Sequence, residues 1–162
     1  MKLVGIDIAK YKHAAFIMDA STGESLCDPF LFKNNKDGFQ KFYDELNKYT
    51  QDELLIGMED TGHYNFAIES CLLAKGYKVA LINPITTKNL RKASLKTVKS
   101  DKEDAILITK ALLDKDYYRI ISIQDEKLKE AKELTRYRTQ LTIEMNRKKN
   151  ILQRHIDIVF PE

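Results

Sequence analysis

The sequence predicts an α/β protein: a mixed sheet with helices on both faces, followed by a long helical segment. Two observations carry this. Nearly continuous apolar runs at residues 2–9, 53–59 and 77–82 have the composition of strands buried on both sides. Stretches with helical periodicity lie between the later runs, and beyond residue 123 that periodicity continues almost to the end. At 162 residues the chain can bury one core without staples and carry an appendage. We divide it into an α/β domain over 1–123 and a helical region over 124–162.

In chain order, residues 2–9 form the first strand, residues 12–19 a second and residues 25–33 a third, with turn residues around Gly23 between the last two. These three strands form an antiparallel meander. Phe39, Phe42, Tyr43, Leu46 and Tyr49 then recur at helical spacing over 36–49, with Asn34 and Asn35 as candidate caps. A strand over 53–59, a helix over 64–75 stopped by Gly76, and a strand over 77–82 halted by Asn83 and Pro84 add βαβ units. Tyr43, Tyr49, Tyr64 and Tyr77 fall at packing positions.

Composition excludes several classes. The formal net charge is only +3, so placement of charge says more about partners than its sum. Cys27 and Cys71 lack paired spacing and read as reduced cytosolic thiols, and His13, His63 and His155 are too scattered for a zinc site. Asp7 interrupts the first apolar run and no small-residue cleavage site follows, which argues against a signal peptide. No run is long enough to span a membrane, so a cytoplasmic protein without a membrane partner is expected.

Residues 85–100 carry Lys88, Arg91, Lys92, Lys96 and Lys99 with no acid among them, and read as a basic, mobile connection whose cations are candidate contacts to a nucleic-acid backbone. A helix follows. Asp101 stands at or near its N-cap and Asp104 in its first turn, at a spacing that puts both on one face. Taken alone, this pair reads as a cap and a complement to the helix dipole. Farther on, Leu134, Leu141, Met145, Leu152, Ile156 and Val159 mark a seam suited to a coiled coil or a long partner helix. Arg147, Lys148 and Lys149 make that helix basic, as a solvated face or as a contact to nucleic acid.

Two further acids change the weight of the Asp101–Asp104 pair. Asp7 lies in a buried strand, where a bare carboxylate is costly, and Glu59 ends another. Adjacent central strands end at one edge of an open sheet, and a helix packed across them brings its first turn there. Four gathered carboxylates repel one another unless cations neutralise them, which suits Mg²⁺ or Mn²⁺ and phosphoryl transfer on nucleic acid. Beside them, Lys10 is a candidate phosphate contact. Thr61 reads as a helix cap, Gly62 as a point of close backbone approach and His63 as a candidate assistant, while Asp60 and Glu103 read as exposed neighbours.

The segments Gly5-Ile-Asp7-Ile-Ala-Lys10, Glu59-Asp-Thr-Gly-His-Tyr64, Ile82-Asn-Pro84 and Lys99-Ser-Asp101-Lys-Glu-Asp104-Ala together resemble the DEDD transposases of bacterial insertion-sequence family one-ten. The catalytic domain of that family is similar to the Holliday-junction resolvase RuvC. The resemblance implies an RNase H-like (RuvC-like) catalytic domain over 1–123 and a coiled-coil and dimerisation region over 124–162. It implies Asp7, Glu59, Asp101 and Asp104 as the metal-binding, catalytic acids. It further implies a recombinase that cleaves and transfers DNA strands under the guidance of an element-encoded RNA and that assembles, through the C-terminal helix, as a homodimer or higher homo-oligomer. Family members continue into a domain bearing a nucleophilic serine that these residues do not contain, so the chain reads as an N-terminal part, and neither Ser94 nor Ser100 inherits that role.

Two other readings stand beside this one. In the first, the acids are structural and the chain is a non-catalytic module for nucleic-acid binding and dimerisation. In the second, Val4-Gly-Ile-Asp7-Ile is the phosphate-binding strand of an actin-like ATPase or kinase, although Ile8-Ala-Lys10 lacks the glycine-rich loop that such strands need.

Overall fold

The computed structural model describes residues 1–60, 64–93 and 100–161. The chain forms two units, Met1–Ile123 and Gln124–Glu162. In the first, β1 (Lys2–Asp7), β2 (Lys12–Asp19) and β3 (Phe30–Lys33) make the antiparallel meander. β3 is shorter than the run over 25–33 suggests. Ser25 makes only an isolated bridge to Met18, and Pro29, which has no N–H to donate, stands just before the strand.

The chain then enters α1 (Lys36–Leu46), where the Asn35 side chain accepts the Gly38 N–H at 2.8 Å as the N-cap. β4 (Leu54–Glu59) returns parallel to β1, and α2 (Phe66–Ala74) leads to β5 (Lys78–Ile82), parallel to β4. β6 (Tyr118–Ile121) closes the sheet antiparallel to β5, giving the order β3-β2-β1-β4-β5-β6. The sheet is mixed, with helices on both faces.

Residues 85–100 depart from expectation. A helix, α3 (Pro84–Ala93), occupies most of the segment read as a mobile connection. Pro84 begins the helix as well as ending the strand, because proline at a first helical position forfeits an N–H that has no intrahelical partner anyway. The Asn83 side chain accepts the Ile85 N–H at 2.9 Å, and Arg91 and Lys92 fall in the last turn, where cations complement the helix dipole. Ser94, Lys96 and Lys99 lie outside the described residues, as do Thr61, Gly62 and His63.

Alternation along the strands sorts the core into two layers. Val4, Ile6, Ile56, Met58, Val79 and Leu81 pack with α1 and α2. Leu3, Leu55, Ala80 and Ile82 face α4 (Asp101–Ala111) on the other side. On that second face Gly5 pairs with Gly57, and Gly57 with Ala80, so a row of minimal side chains crosses the three parallel strands. The helix sits in this groove. A β-carbon on Gly5 would lie within 2.5 Å of the Ala105 carbonyl oxygen and the Thr109 amide nitrogen, both backbone atoms of α4. At Gly57 the three nearest atoms all belong to the Leu112 side chain, at 2.6–2.9 Å. Tyr77 is buried and Tyr43 and Tyr49 pack against the core, whereas Tyr64, standing before α2, is 40% exposed.

The second unit is formed by α5 (Ile123–Val159) from its second residue onward, and the 37 residues of that helix span about 55 Å. The seam residues Leu134, Leu141, Met145, Leu152, Ile156 and Val159 are all exposed. Among the described residues no helix is long and apolar enough to cross a membrane.

The glycine groove sets an order of costs. Gly5→Ala must push backbone away from backbone and lowers stability by about 2–3 kcal/mol, whereas Gly57→Ala asks only for a leucine to turn and costs about 1 kcal/mol. Urea unfolding of both variants measures the difference, and equal costs would mean that α4 is not held by contact with Gly5.

Candidate functional site

Two strand ends and one helix start build the site. Asp7 is the last residue of β1 and Glu59 the last of β4. The two strands are parallel neighbours, so both acids emerge at one sheet edge. By alternation Asp7 follows Leu3 and Gly5 on the α4 face, and Glu59 follows Leu55 and Gly57. The close packing of α4 on the glycines brings its first turn to the same edge. All four acids that the sequence singles out, Asp7, Glu59, Asp101 and Asp104, line one cleft of about 430 Å³.

Ser100, rather than Asp101, caps α4: its side chain accepts the Glu103 N–H at 3.3 Å. Asp101 is the first helical residue, and its carboxylate is exposed. Asp104 sits one turn in and is largely covered, its side chain 14% accessible.

The remaining wall of the cleft is one face of α3. Pro84, Thr87, Lys88 and Arg91 recur at helical spacing and line it together. Thr87 is 2% exposed, and its hydroxyl donates to Glu59 Oε1. Arg91 Nη2 donates to Asp104 Oδ1 as an ion pair. The sequence places Lys88 and Arg91 on a basic loop as candidate nucleic-acid contacts and does not single out Thr87. The signal was present in the three- and four-residue steps from Pro84, but it becomes visible only once Pro84 is read as a helix start.

The electrostatics follow from this crowding. Asp7 has its pKa raised from 3.8 to about 7, first by burial and then by repulsion from Asp104, Asp101 and Glu59, with Arg91 opposing. The donors are all carboxylate oxygens, the chemistry that hard divalent cations prefer. Among the described residues, no three acidic, histidine or cysteine side chains form a ready-made ion cage. Glu59 is engaged by Thr87 and Asp104 by Arg91, so α3 holds half of the carboxylate set. The chemistry fits a hard cation, with α3 competing for its ligands.

Other candidates lie apart from the cleft lining. Lys10 is exposed and stacks its ammonium over the Tyr11 ring at 5.0 Å, and Lys92 is exposed on α3. Arg147, Lys148 and Lys149 are exposed on α5. His13 is fully buried and its Nδ1 accepts the Ala9 N–H at 3.3 Å, pinning the turn that follows Asp7; burial lowers its pKa and favours the neutral ring. Cys27 and Cys71 are free thiols.

A family model described as a transposase, that of the DEDD transposases of insertion sequence IS110, matches residues 4–161. The chain is also similar to the pilin gene-inverting proteins of Moraxella bovis and Moraxella lacunata. Each is 28% identical over 109 residues, covering 66% of this chain but only 33% of the relative. A family match that runs nearly end to end means that this chain belongs to the DEDD transposases of insertion-sequence family one-ten.

Proposed function

We propose that residues 1–123 are the metal-dependent catalytic part of a DNA transposase or recombinase, and that residues 124–162 serve assembly and nucleic-acid binding. One observation carries the reading: Asp7, Glu59, Asp101 and Asp104 converge on one cleft in a chain of a transposase family. The six-stranded mixed sheet is compatible with an RNase H-like fold.

The four carboxylates would hold Mg²⁺ or Mn²⁺, which supplies charge neutralisation and Lewis-acid polarisation of phosphodiester oxygens when bound. The chain's own groups prepare the cleft. Thr87 fixes the Glu59 carboxylate, and Lys88, exposed in the lining, takes a backbone phosphate of the DNA. Arg91 supplies positive charge to Asp104 before a cation arrives, which limits the repulsion within the acid set. An element-encoded guide RNA is the second nucleic-acid partner in this reading. Arg147, Lys148 and Lys149 on α5 offer it a phosphate contact, and the exposed apolar seam of the same helix joins copies of the chain.

Metal binding tests the cleft directly. At a hundredfold excess over its dissociation constant, Mg²⁺ stabilises the wild type by about 2.7 kcal/mol, a rise in Tm of roughly 5–10 °C over EDTA. Asp7→Asn abolishes that rise. Arg91→Met removes the competitor for Asp104, so it tightens Mg²⁺ binding several-fold in titration calorimetry. Wild type without a metal response would overturn the metal site, and weaker binding by Arg91→Met would overturn the competition.

The apo protein gives a pH signature. The folded state keeps a proton on Asp7 up to about pH 7, whereas the unfolded chain sheds it near 3.8. The Asp7 contribution to stability therefore declines from about pH 4 to about pH 7 and then levels off. In EDTA at pH 8, Asp7→Asn melts a few degrees above wild type, and at pH 4 the two converge. Parallel melting curves at all pH values would contradict the raised Asp7 pKa.

On α5, joint replacement of Arg147, Lys148 and Lys149 by Gln lowers the slope of log K against log salt by about 2–3 for RNA or DNA. An unchanged slope would leave them as solvated charges. Light scattering is expected to give a dimer or larger species for the wild type and a monomer for Leu141→Glu with Leu152→Glu. A monomeric wild type would remove the assembly role.

A further inference from the structure

A second hollow of about 420 Å³ opens beside the acid cleft, where β5 ends next to the edge strand β6. Asp60, Asn83, Pro84, Tyr117 and Arg119 line it, and Pro84 lines the acid cleft as well, so the two share a wall. We propose that this hollow is a nucleobase subsite: it takes one unstacked base of the DNA strand whose phosphodiester occupies the acid cleft. The inference rests on the proposed function of that cleft and adds the residues that would hold the strand beside it.

Charge separates the roles of the two hollows. Arg119 and Asp60 approach to 3.8 Å, so the charged groups of the second lining offset each other. A site built for a bare phosphate would keep its positive charge uncompensated. What the second hollow offers is planar surface and hydrogen-bonding groups of both kinds. Tyr117 is 38% exposed and presents an aromatic face, and the Arg119 guanidinium gives a second stacking plane. The Asn83 Oδ1 is occupied by the Ile85 N–H at 2.9 Å, which orients the amide and leaves its NH₂ to donate. Asp60 adds an acceptor, and its main chain is fixed where the Asp60 N–H donates to the Ile82 carbonyl at 3.0 Å. Donor, acceptor and stacking plane together match a base edge and face.

Position and size agree. Arg119 pairs with Leu81 across the β5–β6 ladder, so the hollow lies at the same strand ends as Glu59, displaced along the sheet. Two strand spacings amount to roughly 10 Å, within reach of a neighbouring nucleotide. The volume falls in the range of small-ligand pockets and accommodates one base.

The test uses the full chain in EDTA with a short single-stranded DNA carrying 2-aminopurine at successive positions. One position is expected to change fluorescence on binding. Tyr117→Ala and Arg119→Ala each weaken binding about 5- to 100-fold, and Tyr117→Phe restores it. An abasic site at the reporting position costs the wild type at least as much as Tyr117→Ala, and costs that variant less than it costs the wild type. If both alanine variants bind as wild type while Lys88→Ala weakens binding, the nucleobase subsite is wrong and the cleft reading stands. If the alanine variants lose binding while Mg²⁺ fails to stabilise the protein, the subsite stands and the metal reading falls. Loss of binding in Tyr117→Ala that Tyr117→Phe does not restore overturns the stacking role.

Discussion

The candidate site depends on how closely α4 lies against the centre of the sheet. Gly5 and Gly57 are register partners on adjacent parallel strands, and at Gly5 the helix backbone occupies the space a β-carbon would need. Thr109, fully buried, reinforces the contact: its hydroxyl donates to the Ala105 carbonyl at 2.8 Å and lies 3.4 Å from the Phe16 carbonyl of β2. This seat fixes the depth and register of α4. The helix spacing from Thr109 back through Ala105 then carries Asp104 and Asp101 to the strand ends. The chemistry of the cleft is therefore set by two glycines that contribute no chemical group of their own.

Gathering acids at such an edge has an electrostatic cost, which is visible in the raised pKa of Asp7. The fold limits that cost from the opposite wall. α3 sends an arginine to Asp104 and a threonine hydroxyl to Glu59, so one helix face answers two of the four carboxylates. The arrangement is a compromise. Arg91 stabilises the acids in the absence of a cation and must yield Asp104 if a cation is to use both of its oxygens. A cleft left without such partners would be poorer in stability, and one fully satisfied by them would have no affinity left for metal.

Much of the architecture was legible because its signals are local. Continuous apolar runs marked β1, β4 and β5, and the acids were conspicuous because they interrupt or terminate those runs. Alternation from Leu3 to Asp7 and from Leu55 to Glu59 was equally readable, since it needs only the period of a strand. What escaped was of two kinds. α3 was missed because Asn83-Pro84 is both a strand stop and a helix start, and the helix that follows is short, polar and basic. The Gly5–Gly57 pairing was missed because register between strands separated by about fifty residues is a tertiary fact, invisible to any window of sequence. The Arg91–Asp104 and Thr87–Glu59 contacts inherit both obstacles, since they require α3 to exist and to pack beside α4.

The sheet edge also explains how one small domain can host two different kinds of contact. β1, β4 and β5 run parallel, so their carboxyl ends and the turns beyond them lie side by side. The β1 and β4 ends carry acids, and the end of β5 carries Asn83 and Pro84, which start the helix that bounds the acid cleft. β6 reverses direction and brings Tyr117 and Arg119 to the far side of the same proline. A strand of nucleic acid laid along this edge would meet carboxylates at one step and a neutral, aromatic hollow at the next. Under the proposed reading, strand order puts the acids and the aromatic hollow at neighbouring positions along this edge, the seating of α4 completes the acid set, and Pro84 is the wall between the two.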